Sequence, residues 1–160
     1  MEIVLGMFVD PRRLAFAVLA FGVVYGLFLV NWIDLFAGPG QVPGYHLWLL
    51  LAMLAPFLLL TFLGPEHWKL FFSGFFLTTL MNDVFYYVVG TLFGVRVDLA
   101  EWYSCQLFGQ CQAWHGNVVF DFFFVEVKPY PWLMPLTIWL RVLAVPILLW
   151  LWRRGLPCIF

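Results

Sequence analysis

Two ionisable residues stand where an apolar sequence should hold none. Asp83, beside Asn82, lies inside the run Leu70 to Val95, and Arg141 lies inside the run Trp132 to Trp152. Both runs are long enough to cross a bilayer as helices. A lone charge at the bilayer centre costs at least about 2.5–3.5 kcal/mol on insertion scales, so each charge needs a partner. Counted from the same end of the membrane, Asp83 is about twelve residues down and Arg141 about ten. At 1.5 Å per residue both are roughly 15–18 Å deep, near the middle of a core about 30 Å thick. Antiparallel neighbours therefore bring opposite charges to one level, and pairing is the expected solution. Thr79, Asp83, Tyr86, Tyr87, Gly90 and Gly94 share one side of their helix by i+3 and i+4 steps. Two chemistries fit this stripe: a latch that fixes helix register, or a ligand-binding or proton-handling site.

A second group of chemistry-bearing residues belongs near the outer surface. Asn31 and Asp34 come late in the first apolar run, His46 opens the second, and His115 and Asp121 lie in the segment 96–131. Asp34, His46, His115 and Asp121 have the ligand types of a zinc or iron site. They come from separate elements without His-x-x-x-His spacing, so solvated histidines and helix-end carboxylates are the simpler reading. No cofactor is specified beyond a candidate metal ion. Cys105 and Cys111 share the same outer segment, where disulfides persist, and their spacing closes a small loop that a disulfide permits. Cys158 falls on the reducing side and is read as a free thiol. The ending Cys158-Ile159-Phe160 is one residue short of a prenylation box.

The elements that position these residues are apolar helices. Of the 160 residues, 64% are hydrophobic and 11% charged, with mean hydropathy +0.95. Soluble domains carry roughly 25% charged residues, so lipid is the solvent this surface fits. The expected fold is an all-α integral membrane protein, a four-span transmembrane helical bundle with a short interfacial external segment. The spans cover about 14–36, 45–63, 70–95 and 132–152, in one domain. Gly38-Pro39-Gly40 and Gly64-Pro65 punctuate them, and Pro56 is expected to kink the second. The first run is longer than a signal-peptide core and no Ala-x-Ala-like site follows it, so it reads as a retained span. Gly22-x-x-x-Gly26 and Gly90-x-x-x-Gly94 are candidate sites of close helix approach.

In the segment 96–131, Asp98-Leu99-Ala100-Glu101 has capping-box spacing and predicts a short interfacial helix. Ala113 to Val127 is too short to span and is broken by Gly116-Asn117, and its pattern fits strand and helix equally. With a cytoplasmic N-terminus, Arg12, Arg13, Lys69, Arg153 and Arg154 fall inside and only Arg96 and Lys128 outside. That asymmetry predicts a multi-pass cell-membrane protein with both termini cytoplasmic.

A net charge of −1 offers no basic field to nucleic acid. Membrane lipids, partner membrane subunits or further copies of the chain are the expected partners. No phosphate loop, serine-nucleophile motif or dinucleotide fingerprint is present. The favoured function is a binding or accessory membrane subunit, because no catalytic spacing appears. A membrane-embedded enzyme acting on a lipid-like substrate, metal-dependent or not, and an oligomeric transporter or channel subunit are the alternatives. Whether the chain is an enzyme stays open at the level of sequence.

Overall fold

In the computed structural model, residues 10–37, 43–96, 98–110, 120–121, 126–127 and 132–155 are described. Four helices among them are long and apolar enough to cross a membrane: Pro11–Phe36, Tyr45–Leu63, Pro65–Leu92 and Leu133–Gly155. The first is a continuous rod of three pieces, α1 (Pro11–Val24), a π-helical segment (Tyr25–Val30) and α2 (Asn31–Ala37). It starts three residues before the expected Leu14, because Asp10 Oδ1 accepts from the Arg12 amide at 2.9 Å and Pro11 takes the first helical position. The second is α3 (Tyr45–Leu63), which carries Pro56 in its interior. The third opens with a 3₁₀ turn, Pro65–His67, and continues as α4 (Trp68–Leu92). The fourth is α6 (Leu133–Gly155), with Pro146 inside it.

The third helix stops at Leu92 rather than Val95. Gly94 adopts φ 84°, and the amides of Gly94 and Val95 close onto Thr91 O and Gly90 O at 3.2 and 3.0 Å. This left-handed glycine ending satisfies the last carbonyls. Gly94 is therefore a helix stop and not a packing position, which corrects the second Gly-x-x-x-Gly expectation. A Cβ added there would meet nothing within 4 Å.

Helix α4 is the centre of the bundle, in contact with the first rod, α3, the short helix α5 (Leu99–Phe108) and α6. Its backbone closely approaches that of the first rod at Gly22 and Gly26. A Cβ on Gly22 would lie 2.7 Å from Gly74 O, and one on Gly26 would run into Thr78 O. Thr78 Oγ1 uses the proximity, lying 3.1 Å from Gly22 O and 3.0 Å from Gly74 O. Gly74 in turn makes room for the Phe57 ring, which would stand 2.5 Å from a Cβ there. One apolar layer joins Val18, Phe57, Leu70, Phe71 and Trp152, and another joins Val30, Tyr45, Leu49 and Met53. The outward faces are apolar too, with Phe62 83% exposed. An interior and an exterior of the same character are what lipid demands, and length and composition are those of a multi-pass membrane protein.

The short helix α5 (Leu99–Phe108) starts at its predicted cap, where Asp98 Oδ1 accepts from Ala100 and Glu101 amides at 2.9 and 3.2 Å. It lies against α4 and α6. Tyr103 donates to Val84 O at 2.9 Å, and burial pushes its phenol pKa up. Trp139 Nε1 donates to Leu107 O at 3.0 Å. Beyond α5, β1 (Phe120–Asp121) and β2 (Glu126–Val127) form a two-residue antiparallel ladder, Phe120 opposite Val127. That ladder is the strand pairing among the described residues of an otherwise helical chain.

Candidate functional site

Asn82 and Asp83 are successive residues of α4, so their side chains leave the helix about 100° apart. Asn82 turns to the first rod and Asp83 to α6. Asn82 Nδ2 donates to Asn31 Oδ1 at 2.9 Å and to Asp34 Oδ2 at 3.2 Å. Asn31 Nδ2 donates to Leu27 O at 3.0 Å and reaches Met81 O at 3.5 Å. The other Asp34 oxygen accepts a short hydrogen bond from the Tyr45 hydroxyl at the start of α3. On the opposite side, Arg141 Nη2 stands 2.5 Å from Asp83 Oδ2, with side-chain exposures of 14% and 28%. Arg141 Nε also donates to Thr137 O at 2.9 Å, and Nη2 to Thr137 Oγ1 at 3.2 Å.

The result is a polar belt that draws side chains from all four long helices. It holds two carboxylates and one guanidinium. Asp83 has the guanidinium, and Asp34 is held by the neutral donors Tyr45 and Asn82. Each acceptor bond offsets part of the desolvation cost that buried polar groups carry. Tyr86 and Tyr87 pack over the belt as an edge-to-face pair with centroids 4.8 Å apart, and Tyr87 meets Trp102 of α5 at 4.2 Å. Helix α5 is thus a lid of aromatic rings on this end of the bundle.

Thr79 takes no part in the belt. It is buried, but its hydroxyl donates to Phe76 O at 2.9 Å in its own helix. Asp34, assigned from sequence to an outer metal group, is drawn into the belt instead. His46 lies one residue beyond Tyr45 with its ring edge-on to the Tyr45 ring at 5.2 Å. Among the described residues, no three His, Cys, Asp or Glu side chains converge on a metal position. His115 lies outside the described residues, and for Asp121 only the backbone in β1 is described. Cys105 is fully buried on α5, and Cys111 lies outside the described residues.

Sequence reasoning missed Tyr45 as a ligand of Asp34, and it missed the π-helical segment that aims Asp34 inward. A spacing signal existed. Residues of α4 that meet the first rod recur every four, at Gly74, Thr78 and Asn82, while their counterparts run Gly22, Gly26 and Asn31. The step from Gly26 to Asn31 is one residue too long for an α-helix. The π-helical segment Tyr25–Val30 absorbs the extra residue and keeps Asn31 on the α4 side. No family model matches the chain, and neither a curated protein nor a solved structure is similar to it, so the functional reading rests on this geometry.

Proposed function

We propose that the protein is a multi-pass cell-membrane binding or accessory subunit, with both termini cytoplasmic and α5 on the outer side. The observation that carries the reading is the belt itself. Its charged groups are answered internally, by Arg141 for Asp83 and by Tyr45 and Asn82 for Asp34. Such an arrangement fixes register between four helices and leaves the outer apolar faces to do the binding. Helix α6 supports it further, since it packs on α4 and α5 and presents Trp139, Leu140, Leu143 and Ile147 outward. The same topology puts Cys105 and Cys111 on the oxidising side, where their spacing permits a disulfide.

A second reading, a membrane-embedded enzyme acting on a lipid-like substrate, is favoured by one feature. Asp34 is a carboxylate without a cationic partner among the described residues, and it sits beside a π-helical turn of the kind frequent at functional sites. It would serve as the acid-base residue. Native mass spectrometry of the protein released from its own membrane separates the two. The accessory reading expects at least one further polypeptide on the 18.7 kDa chain. The bare chain carrying a small lipid-like molecule that is lost in Asp34→Asn would replace it with the enzyme reading.

A further inference from the structure

At the end of the bundle away from the belt, the last turn of α6 carries two cations and stands beside a third, Lys69 of α4. Arg153 and Arg154 close that helix, and a Cβ built on Gly155 would lie 4.0 Å from Lys69 Nζ. The seam that brings them together is well fixed. Trp152, 4% exposed, donates from Nε1 to His67 Nδ1 at 3.1 Å and packs with Leu70 and Phe71. The end of a helix offers only about half a negative charge, so it compensates a fraction of three full cations. Lys69 is also misplaced for helix stability, as the second residue of α4, where the helix dipole disfavours a positive charge. Among the described residues none of the three has a carboxylate partner, and Glu66 sits 3.7 Å from His67 instead. Two of the charged groups lie over tryptophans: Arg154 Cζ is 3.8 Å from the Trp150 ring centroid, and Lys69 Nζ is 5.7 Å from that of Trp68. Both rings are exposed, in the manner of residues at a membrane–water interface.

We propose that Lys69, Arg153 and Arg154 form a binding site for the phosphate of an anionic phospholipid, at the α4–α6 seam. The guanidinium forks supply paired donors to phosphate oxygens, and Lys69 supplies a point charge from the neighbouring helix. Basic pockets between membrane helices hold anionic headgroups by this chemistry. The exposed rings on either side place the site at headgroup depth, which selects a lipid over a soluble anion.

The test uses the full chain in nanodiscs of equal phosphatidylglycerol and phosphatidylcholine, ejected into a mass spectrometer with its retained lipids. The expected result is selective retention of phosphatidylglycerol. Selectivity should fall on the order of fivefold per removed cation in Lys69→Gln, Arg153→Gln and Arg154→Gln. The charge-conserving pair Arg153→Lys and Arg154→Lys should keep most of it, and Arg12→Gln with Arg13→Gln should leave it unchanged. Equal retention of the two lipids, or selectivity that survives the three glutamine changes, overturns the proposal. Displacement of phosphatidylglycerol by millimolar inorganic phosphate would also overturn it, by showing a soluble-anion site.

Discussion

At the scale of single residues, Asp83 and Arg141 illustrate how far cost alone can locate a side chain. Depth along two helices and the expense of a solitary charge put both at one level, and their side chains meet at 2.5 Å. Asp34 illustrates where that argument ends. It lies only a few residues from the end of its helix, so depth gave it no cost to relieve, and solvent was the simpler destination. Its inward aim depends on a local winding that residue type does not encode. Tyr45 was missed for a related reason: a tyrosine at a helix start is ordinary at a membrane interface, and only the position of Asp34 gives its hydroxyl a second task. The ion pair permits a direct prediction. Asp83→Leu or Arg141→Leu alone should destabilise the bundle by about 3–5 kcal/mol, because the remaining charge loses its partner in a low-dielectric site. The double replacement should recover most of that loss. Reversible unfolding in mixed micelles measures all three, and additive losses in the double variant would mean that the two residues are energetically independent.

At the scale of elements, the four long helices and the α5 cap were legible because each rests on a strong local signal. Apolar length marks a helix in lipid, and Asp98 followed by Glu101 marks a helix start. The ends were less legible. Val95 is as apolar as the residues before it, but Gly94 takes a left-handed conformation that stops α4 at Leu92. The π-helical segment was invisible to hydropathy, since Tyr25–Val30 is apolar throughout apart from the tyrosine hydroxyl, which donates to Ala52 O at 2.8 Å. The four-versus-five spacing across the interface leads to an experiment. Deleting Phe28, an exposed residue of the π-helical segment, should convert it to a regular α-helix while Asn31 and Asp34 keep their facing. The variant should remain folded with the Asn82 contacts intact. Deleting Phe76 from α4, between Gly74 and Asn82, should instead turn one side of the interface by about 100° and break it. Circular dichroism and thermal stability in detergent provide the comparison. Equal damage from the two deletions would mean that the extra residue is not what the π-helical segment accommodates.

At the scale of the whole molecule, solvent preference was legible from composition, but sidedness comes only from the distribution of charge. Arg12, Arg13, Lys69, Arg153 and Arg154 gather at one end of the bundle, and the belt lies toward the other, beneath α5. Positive charge resists transfer across a membrane, so the basic end should remain cytoplasmic. Single cysteines introduced at Pro43, Glu101, Glu66 and Gly155 test this, since these residues are accessible at the two ends of the bundle. The background carries Cys158→Ser to remove one native thiol. An impermeant maleimide applied to intact cells should label Pro43→Cys and Glu101→Cys and leave Glu66→Cys and Gly155→Cys unlabelled until the membrane is opened. The proposed disulfide of Cys105 and Cys111 predicts no background label from either thiol before reduction. Labelling at Glu66 and Gly155 from outside, with Pro43 and Glu101 protected, would invert the orientation. It would also move both cysteines to the reducing side, where the link between them would have no reason to persist.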